Sequence, residues 1–325
     1  MDLEYNRIYK LNKKVTIYQS PLFIEMISAV LDSKPRHLKC TKHNSAIPFL
    51  IKETKFGSVL NSLPFFGSCG GLVGDGGICI ELKDQLQEII NDPNSASINI
   101  ISNWLNEYKF SEIYQNFNVI ERINSVKYLA HLGSSQNDLM NSYHSKTRNI
   151  VRGSLKANFQ FCDVTKDIEI LKEMHFNIME SKSRKSKPIK FWDELQNIFV
   201  PGVNYIAYGA KFQNELIAYV LFLIDENLKQ VEYFIPCAND LGRNKNANYF
   251  VLHNSIAEFR RLGFTRIHFG GSHLNQLNLI RFKERWGSKN ERYVYYNYFS
   301  SLMKDVSANE LNEEIPFFYV KPFEI

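Results

Sequence analysis

The run Lys229-Gln-Val-Glu-Tyr-Phe-Ile-Pro-Cys-Ala238, continuing into Asn239-Asp-Leu-Gly-Arg-Asn-Lys-Asn-Ala-Asn248, decides how the rest of the chain is read. Its first part is rich in β-formers and alternates. The alternation predicts a strand with Val231, Tyr233 and Ile235 on one face and Glu232 and Phe234 on the other. After the polar segment, Tyr249, Leu252, Ile256 and Phe259 recur at helical spacing, and Gly263 fits the helix stop. Thr265-Arg-Ile-His-Phe269 is a second short strand ending in Gly270-Gly-Ser272. A last helix holds Arg281-Phe-Lys-Glu-Arg-Trp-Gly287.

Two readings fit the polar loop. A glycine- and asparagine-rich turn that opens a helix leaves backbone N–H groups at the positive end of the dipole, where a phosphate sits well. Arg243 and Lys245 add charge there. The other reading is an ordinary solvated connection with helix-favouring polar residues, and a lone Gly-x-Asn-x-Asn loop does not separate the two.

Working outward, 325 residues suit two domains of ordinary size or a fused pair sharing a core. The formal charge of +5 is small for that length, so it permits an anionic small molecule without indicating nucleic acid. The basic cluster Ser181–Lys187 reads as a solvated loop. No apolar run approaches a bilayer span and no signal-like h-region follows the start, so a cytoplasmic protein is expected. The five cysteines (Cys40, Cys69, Cys79, Cys162, Cys237) form no CxxC pair, so small buried thiols are expected and no metal site.

In the first half, Val15–Tyr18 reads as a strand, and Ser20-Pro21 opens a helix through Phe23, Met26, Ile27 and Val30. Arg36–Cys40 and Ile47–Ile51 form a hairpin in which Pro48 marks an edge or a bulge. The Gly67–Gly77 loop gives backbone that can approach a ligand closely, or a flexible lead into the helix Glu81–Ile90. In the second half, Asp138–Ala157 reads as one helix, Thr165 starts another to about Lys182, and Trp192–Phe199 forms a third. A hairpin follows (Tyr205–Lys211, Leu216–Phe222). It parallels the earlier one, which suggests an internal duplication. Arg292–Phe299 and Ile315–Val320 read as closing strands.

The order of strand, Gly-Arg loop, helix, Gly, strand, with Phe269-Gly-Gly-Ser272 and Phe282-Lys-Glu-Arg-Trp-Gly287, resembles the C-terminal half of the FemAB-like branch of the GNAT acyltransferase superfamily. Leu63-Pro-Phe-Phe-Gly-Ser-Cys-Gly-Gly71 and Lys146-Thr-Arg-Asn-Ile-Val-Arg152 resemble its earlier portion. The resemblance implies an α/β (α+β) fold of two tandem GNAT-like domains, each a mixed twisted sheet flanked by helices. They would be residues 1–145 and 146–325, with the acyl-CoA site in the second.

By that resemblance, acyl-coenzyme A lies along Glu232–Ala238, including Pro236, Cys237 and Ala238. Its pyrophosphate rests on Gly242, Arg243, Asn244, Lys245, Asn246 and Asn248. An amine attacks the thioester directly, so catalysis is mainly positioning with one proton acceptor. Glu232 and His273 are the candidates; each also reads as an ordinary structural residue. Lys283 matches the lysine of the family's Phe-Lys motif, near the phosphates or carboxylate of the acceptor, and Ser272 is a further expected substrate contact. Phe65, Phe66, Tyr143 and Tyr249 would stack a thymine, and Arg148, Arg152 or Lys283 would meet a diphosphate.

The expected reaction is acylation of a nucleotide-linked amino sugar of surface-polysaccharide synthesis. The type is dTDP-3-amino-3,6-dideoxyhexose, with donors such as 3-hydroxybutanoyl-CoA. Two alternatives remain open: aminoacyl-tRNA-dependent transfer to peptidoglycan bridges, and a non-catalytic nucleotide-sugar-binding module.

Overall fold

The computed structural model describes residues 2–65, 69–74, 80–105, 117–130, 132–133 and 135–318. Two compact units divide the chain, one of residues 1–122 with 292–325 and one of residues 123–291. The division differs from the expected break at residue 145. Its reason is a non-local pairing: the strand after Gly287 joins the first unit, while the strand entering near residue 118 joins the second.

In the first unit the order is α1 (Leu3–Leu11), α2 (Pro21–Leu31), β1 (Lys34–Cys40), β2 (Ser45–Thr54), β3 (Gly57–Ser62), α3 (Ile80–Asn91) and β4 (Ser95–Ile101). β5 (Asn118–Tyr128) then carries the chain into the second unit. There follow α4 (Gln136–Asn141), α5 (Ser145–Ser154), β6 (Gln160–Asp163), α6 (Ile168–Ser181), α7 (Ile189–Ile198), β7 (Tyr205–Phe212), β8 (Glu215–Asp225) and β9 (Gln230–Ala238). α8 (Asp240–Asn244), α9 (Ala247–Arg261), β10 (Arg266–Ser272) and α10 (Leu277–Glu284) complete that unit. β11 (Lys289–Phe299) leads back to the first, which ends with α11 (Ala308–Glu314). Among the described residues no helix is long and apolar enough to cross a membrane.

Each unit carries a mixed sheet built on one plan. In the first, β1, β2 and β3 form an antiparallel meander, β3 runs parallel to β4, and β4 pairs antiparallel with β11. In the second, β7, β8 and β9 form the meander, β9 runs parallel to β10, and β10 pairs antiparallel with β5. A helix makes each parallel crossover, α3 in one and α9 in the other. The duplication suggested by the two hairpins therefore extends to five strands.

Local chemistry explains most elements. Ser20 caps α2 by accepting from Phe23 N, with Pro21 at the first helical position. Pro48 lies beyond the stretch of β2 that pairs with β3, so its missing N–H costs no rung on that side. Val15–Tyr18 is not a strand: Ile17–Gln19 is a 3₁₀ turn closed by a Thr16–Gln19 capping box. The helix expected over 138–157 is broken at Ser142–His144. His144 caps α5 through Lys146 N, and buried Lys127 donates to Ser142 Oγ at 2.8 Å. Thr165 does not cap α6, which starts after Asp167; its hydroxyl bonds Asp163 and receives Ala207 N. Ile315–Phe318 is not strand, and residues 319–320 lie outside the described residues.

The second unit's core packs α9 against β7, β8 and β9, with Val220, Phe222, Val231, Ile256, Phe259, Ile267 and Trp286 at its centre. α6 packs near β9, and Phe191 of α7 meets Phe234 of β9 at 6.0 Å between ring centroids.

Candidate functional site

β9 and β10 begin as neighbours and then part. Their parallel ladder has three rungs, Gln230↔Arg266, Val231↔Ile267 and Glu232↔His268. Just past the last rung both strands carry an extra residue. On β9 the register with β8 jumps from Phe222↔Tyr233 to Leu221↔Ile235, leaving Phe234 as a bulge. On β10 the register with β5 jumps between His268 and Gly271, and Gly270 takes a φ of 74°, which glycine adopts freely. From there β9 pairs only with β8 and β10 only with β5, so the facing edges of Tyr233–Ala238 and Phe269–Ser272 lie outside any shared ladder. The equivalent strands of the first unit, β3 and β4, stay paired to Ser62↔Ile100. The opening belongs to the second unit.

The bulge also changes which residues share a face. Val231 and Tyr233 join the core under α9, but Ile235, expected beside them, does not. Glu232 and His268 lie on the opposite face at the end of the ladder, 1% and 2% exposed. Glu232 Oε2 is 2.5 Å from His268 Nδ1, and Gln230 Nε2 donates to Glu232 Oε1 at 2.5 Å. Glu232 is thus a satisfied carboxylate that fixes the orientation of His268, a residue the sequence pattern had passed over as one more strand position.

On the β10 side, Lys283 of α10 reaches back to the glycine turn. Its Nζ donates to Gly270 O (2.7 Å), Gly271 O (3.0 Å) and Ser272 Oγ (2.8 Å). An ammonium has three protons, so this set uses all of them. Burial without a carboxylate pushes the amine down to about 7. Two of the expected acceptor residues, Ser272 and Lys283, are thus in contact with each other. His273 follows at the turn, where its N–H donates to Gln276 Oε1.

At the far end of β9 the loop is more structured than expected. Asn239 caps the short helix α8 through Gly242 N at 2.8 Å, and the amides of Arg243, Lys245 and Asn246 bond carbonyls of the same turn. Gly242 is needed for packing: a Cβ there would lie 2.2 Å from Ile217 O on β8. α9 itself starts at Asn246, in a left-handed conformation (φ 57°), with no side-chain cap. Among the described residues no side chain caps the backbone N–H groups at that end of its dipole.

Cations gather at this exit. Arg243 pairs with Asp240 and donates to Ala238 O at 2.7 Å. Lys245 Nζ lies over the Phe212 ring at 4.7 Å. Lys182 is pushed down by partial burial and then by the charges of Arg243 and Arg184, so three cations from two segments share the exit of β9 beside Cys237. The Ser181–Lys187 run is thus not a plain solvated loop. Its last residue, Lys187, is buried with Nζ over Phe191 and Phe234, and is pushed down to about 7 by burial. Asn244 and Asn248 sit on the same turn, and Pro236, Cys237 and Ala238 on the unshared edge of β9.

Several predicted acceptor contacts are occupied within the protein. Tyr143 is 3% exposed, T-shaped on Trp286 at 5.0 Å, with its hydroxyl 3.2 Å from His253 Nδ1, so it cannot stack a base. Tyr249 stacks on Trp286 at 5.5 Å. Arg148 donates to Asn141 O and Tyr143 O, closing the end of α4. Arg152 is exposed in the last turn of α5. Phe65 is 3% exposed in the first unit at a φ of 94°, packed near Phe317. Phe66 lies outside the described residues. So does part of the Gly67–Gly77 loop; within its described part, Gly70 approaches Ser62 so closely that a Cβ would meet Ser62 O at 2.5 Å.

No family model matches the sequence, and no curated protein matches it. Solved structures do match the fold. FemX superposes with a TM-score of 0.71 at 12% identity, over 94% of this chain and 98% of its own. The C-terminal domain of a putative lysylphosphatidylglycerol synthetase from Agrobacterium fabrum gives 0.62 at 9% identity, over 95% and 96%. L-PGS from Bacillus licheniformis gives 0.61 at 9%, over 96% and 95%. The fold is like that of FemX and these two proteins across nearly the whole chain.

Proposed function

We propose that the protein is an N-acyltransferase whose reaction takes place where β9 and β10 part. The observation that carries this reading is the three-rung ladder ended by a bulge in each strand. An extended thioester arm with amide groups can pair with the unshared edge of β9 as a strand would, which no closed sheet permits. A donor such as acyl-coenzyme A also carries a diphosphate. The uncapped start of α9, with Lys182, Arg184 and Arg243 nearby, offers that group a positive site.

The acceptor amine attacks the thioester carbonyl. A C–N bond forms, the C–S bond breaks, and the amine's proton ends on the departing thiolate or in solvent. The protein supplies alignment, and backbone N–H groups of the parted strands stabilise the oxyanion. His268, held by Glu232, and His273 are the imidazoles nearest the opening along β10, and Lys283 fixes the turn that forms its wall.

The acceptor we favour is a nucleotide-linked amino sugar of the dTDP-3-amino-3,6-dideoxyhexose type, with the donor an acyl-CoA. Support for it is the family resemblance together with the cations gathered at the exit of β9. Purified protein incubated with acetyl-CoA and nucleotide-linked amino sugars, with thiol release followed, tests it. Release that depends on the sugar supports the reading. Product formed only with charged tRNA moves it to aminoacyl transfer, and no product with either leaves a binding module.

A further inference from the structure

The first unit holds a buried cation that the acyl-transfer reading does not use. Arg122 on β5 is 9% exposed. Its Nη1 donates to Glu121 O at 3.0 Å, and its guanidinium lies 5.4 Å from the centre of the Tyr295 ring. The neighbouring Glu121 carboxylate is turned to Arg292 at 3.6 Å. Tyr293 and Tyr295 stand side by side on β11, ring centroids 5.7 Å apart, and the Arg122 charge reaches both phenols. Cys69 is the other polar group they feel. Among the described residues no carboxylate pairs with Arg122.

Such an arrangement leaves donor capacity unused. Burial lowers the pKa of an amine such as Lys283 to about 7, but a guanidinium keeps its charge and presents five donors in a planar fork. One carbonyl and one ring face use a small part of that capacity. A cation–π contact offsets only part of the lost hydration. The Tyr293 and Tyr295 hydroxyls bond each other, one donating and one accepting, which leaves one phenol O–H and most of the guanidinium N–H groups free to donate to an incoming group. That is the composition of an oxyanion site.

We infer that Arg122, with Tyr293 and Tyr295, binds an oxyanion, the phosphate or carboxylate group of a small molecule, in the first unit. This site is independent of the acyl-transfer reading.

The test uses the full chain and two probes, inorganic pyrophosphate for the phosphate source and succinate for the carboxylate source, each titrated while the melting temperature is followed. One of the two should raise it saturably, and the one that does so identifies the source. Arg122→Gln should weaken that response at least tenfold (about 1.4 kcal/mol), while the unliganded variant melts no lower than wild type because an unpaired charge has gone. Arg122→Lys should fall between, keeping charge without the fork. A Lys182→Glu/Arg243→Glu variant should respond like wild type, which separates this site from the exit of β9. The inference is overturned if neither anion shifts the wild-type protein, if Arg122→Gln and wild type respond alike, or if the response is lost with Lys182 and Arg243 instead.

Discussion

Glu232 and His268 close the last rung before β9 and β10 diverge, carboxylate to ring nitrogen at 2.5 Å, both shielded from solvent. Removing the imidazole alone strands a buried carboxylate. His268→Ala should therefore destabilise the protein by about 3 kcal/mol in urea unfolding. The His268→Ala/Glu232→Ala double variant should lose clearly less than the sum of the two single losses. Additive losses would mean the two groups are not coupled.

Gly242→Ala separates packing from ligand approach. The new methyl would press on Ile217 O at 2.2 Å, so a loss of about 1–3 kcal/mol is expected in the absence of any ligand. If the variant is as stable as wild type and only donor affinity falls, the glycine serves the ligand instead.

Charge reversal at the exit of β9 tests the diphosphate site. Lys182→Glu and Arg243→Glu should each raise the apparent KM for acyl-CoA by about tenfold, with kcat and acceptor KM little changed, as expected when a binding contact remote from the reacting bond is lost. Steady-state thiol release measures both constants. An equal rise in both KM values would remove the assignment.

Alkaline stability has a sign that follows from three amines. Burial pushes Lys127, Lys187 and Lys283 from 10.5 down to about 7 in the folded chain. Above pH 7 the unfolded chain holds protons the folded one has released, so stability rises with pH, by at most about 1.4 kcal/mol per pH unit per lysine. Above pH 9 the thiol of Cys237, pushed up to about 11 by burial, acts in the opposite direction. The urea midpoint should therefore climb between pH 7 and pH 9, and Lys127→Met should flatten the climb by about a third. A midpoint that falls over this range would contradict it.

On the acid side, burial pushes His175 and His253 from 6.5 down to about 4. Both are neutral in the folded protein, so stability is complete above pH 6.5 and is lost as pH falls toward 4. His253→Gln should remove a share of that acid loss in the same urea measurement.

Local signals in the sequence were good guides where the chain decides structure locally. Ser20-Pro21 capped its helix, both hairpins formed, and the strand–loop–helix–strand block came out in the expected order. What alternation could not convey was an inserted residue: Phe234 shifts Ile235 off the face of Val231 and Tyr233, and period-two reasoning has no term for a bulge. The two compact units are not continuous in sequence, because the pairing of β4 with β11 joins residues nearly two hundred positions apart. At the site, Ser272 and Lys283 lie in contact, a pairing the motif spacing did not convey. Tyr143 and Arg148 carried plausible chemistry but spend it on Trp286, His253 and helix-end carbonyls, which composition cannot distinguish from a ligand contact. Lys182 and Arg184 had a visible signal, a dense basic run, whose position beside Arg243 only folding reveals.

The return of β11 to the first unit has a consequence for synthesis. During translation the middle of the chain, residues 123–291, can finish its sheet while the earlier portion still waits for Tyr295–Phe299 to leave the ribosome. Until then β4 offers a bare edge to whatever strand passes. A stop codon shortly after Gly287 should therefore yield an insoluble product even though most of the polypeptide has been made.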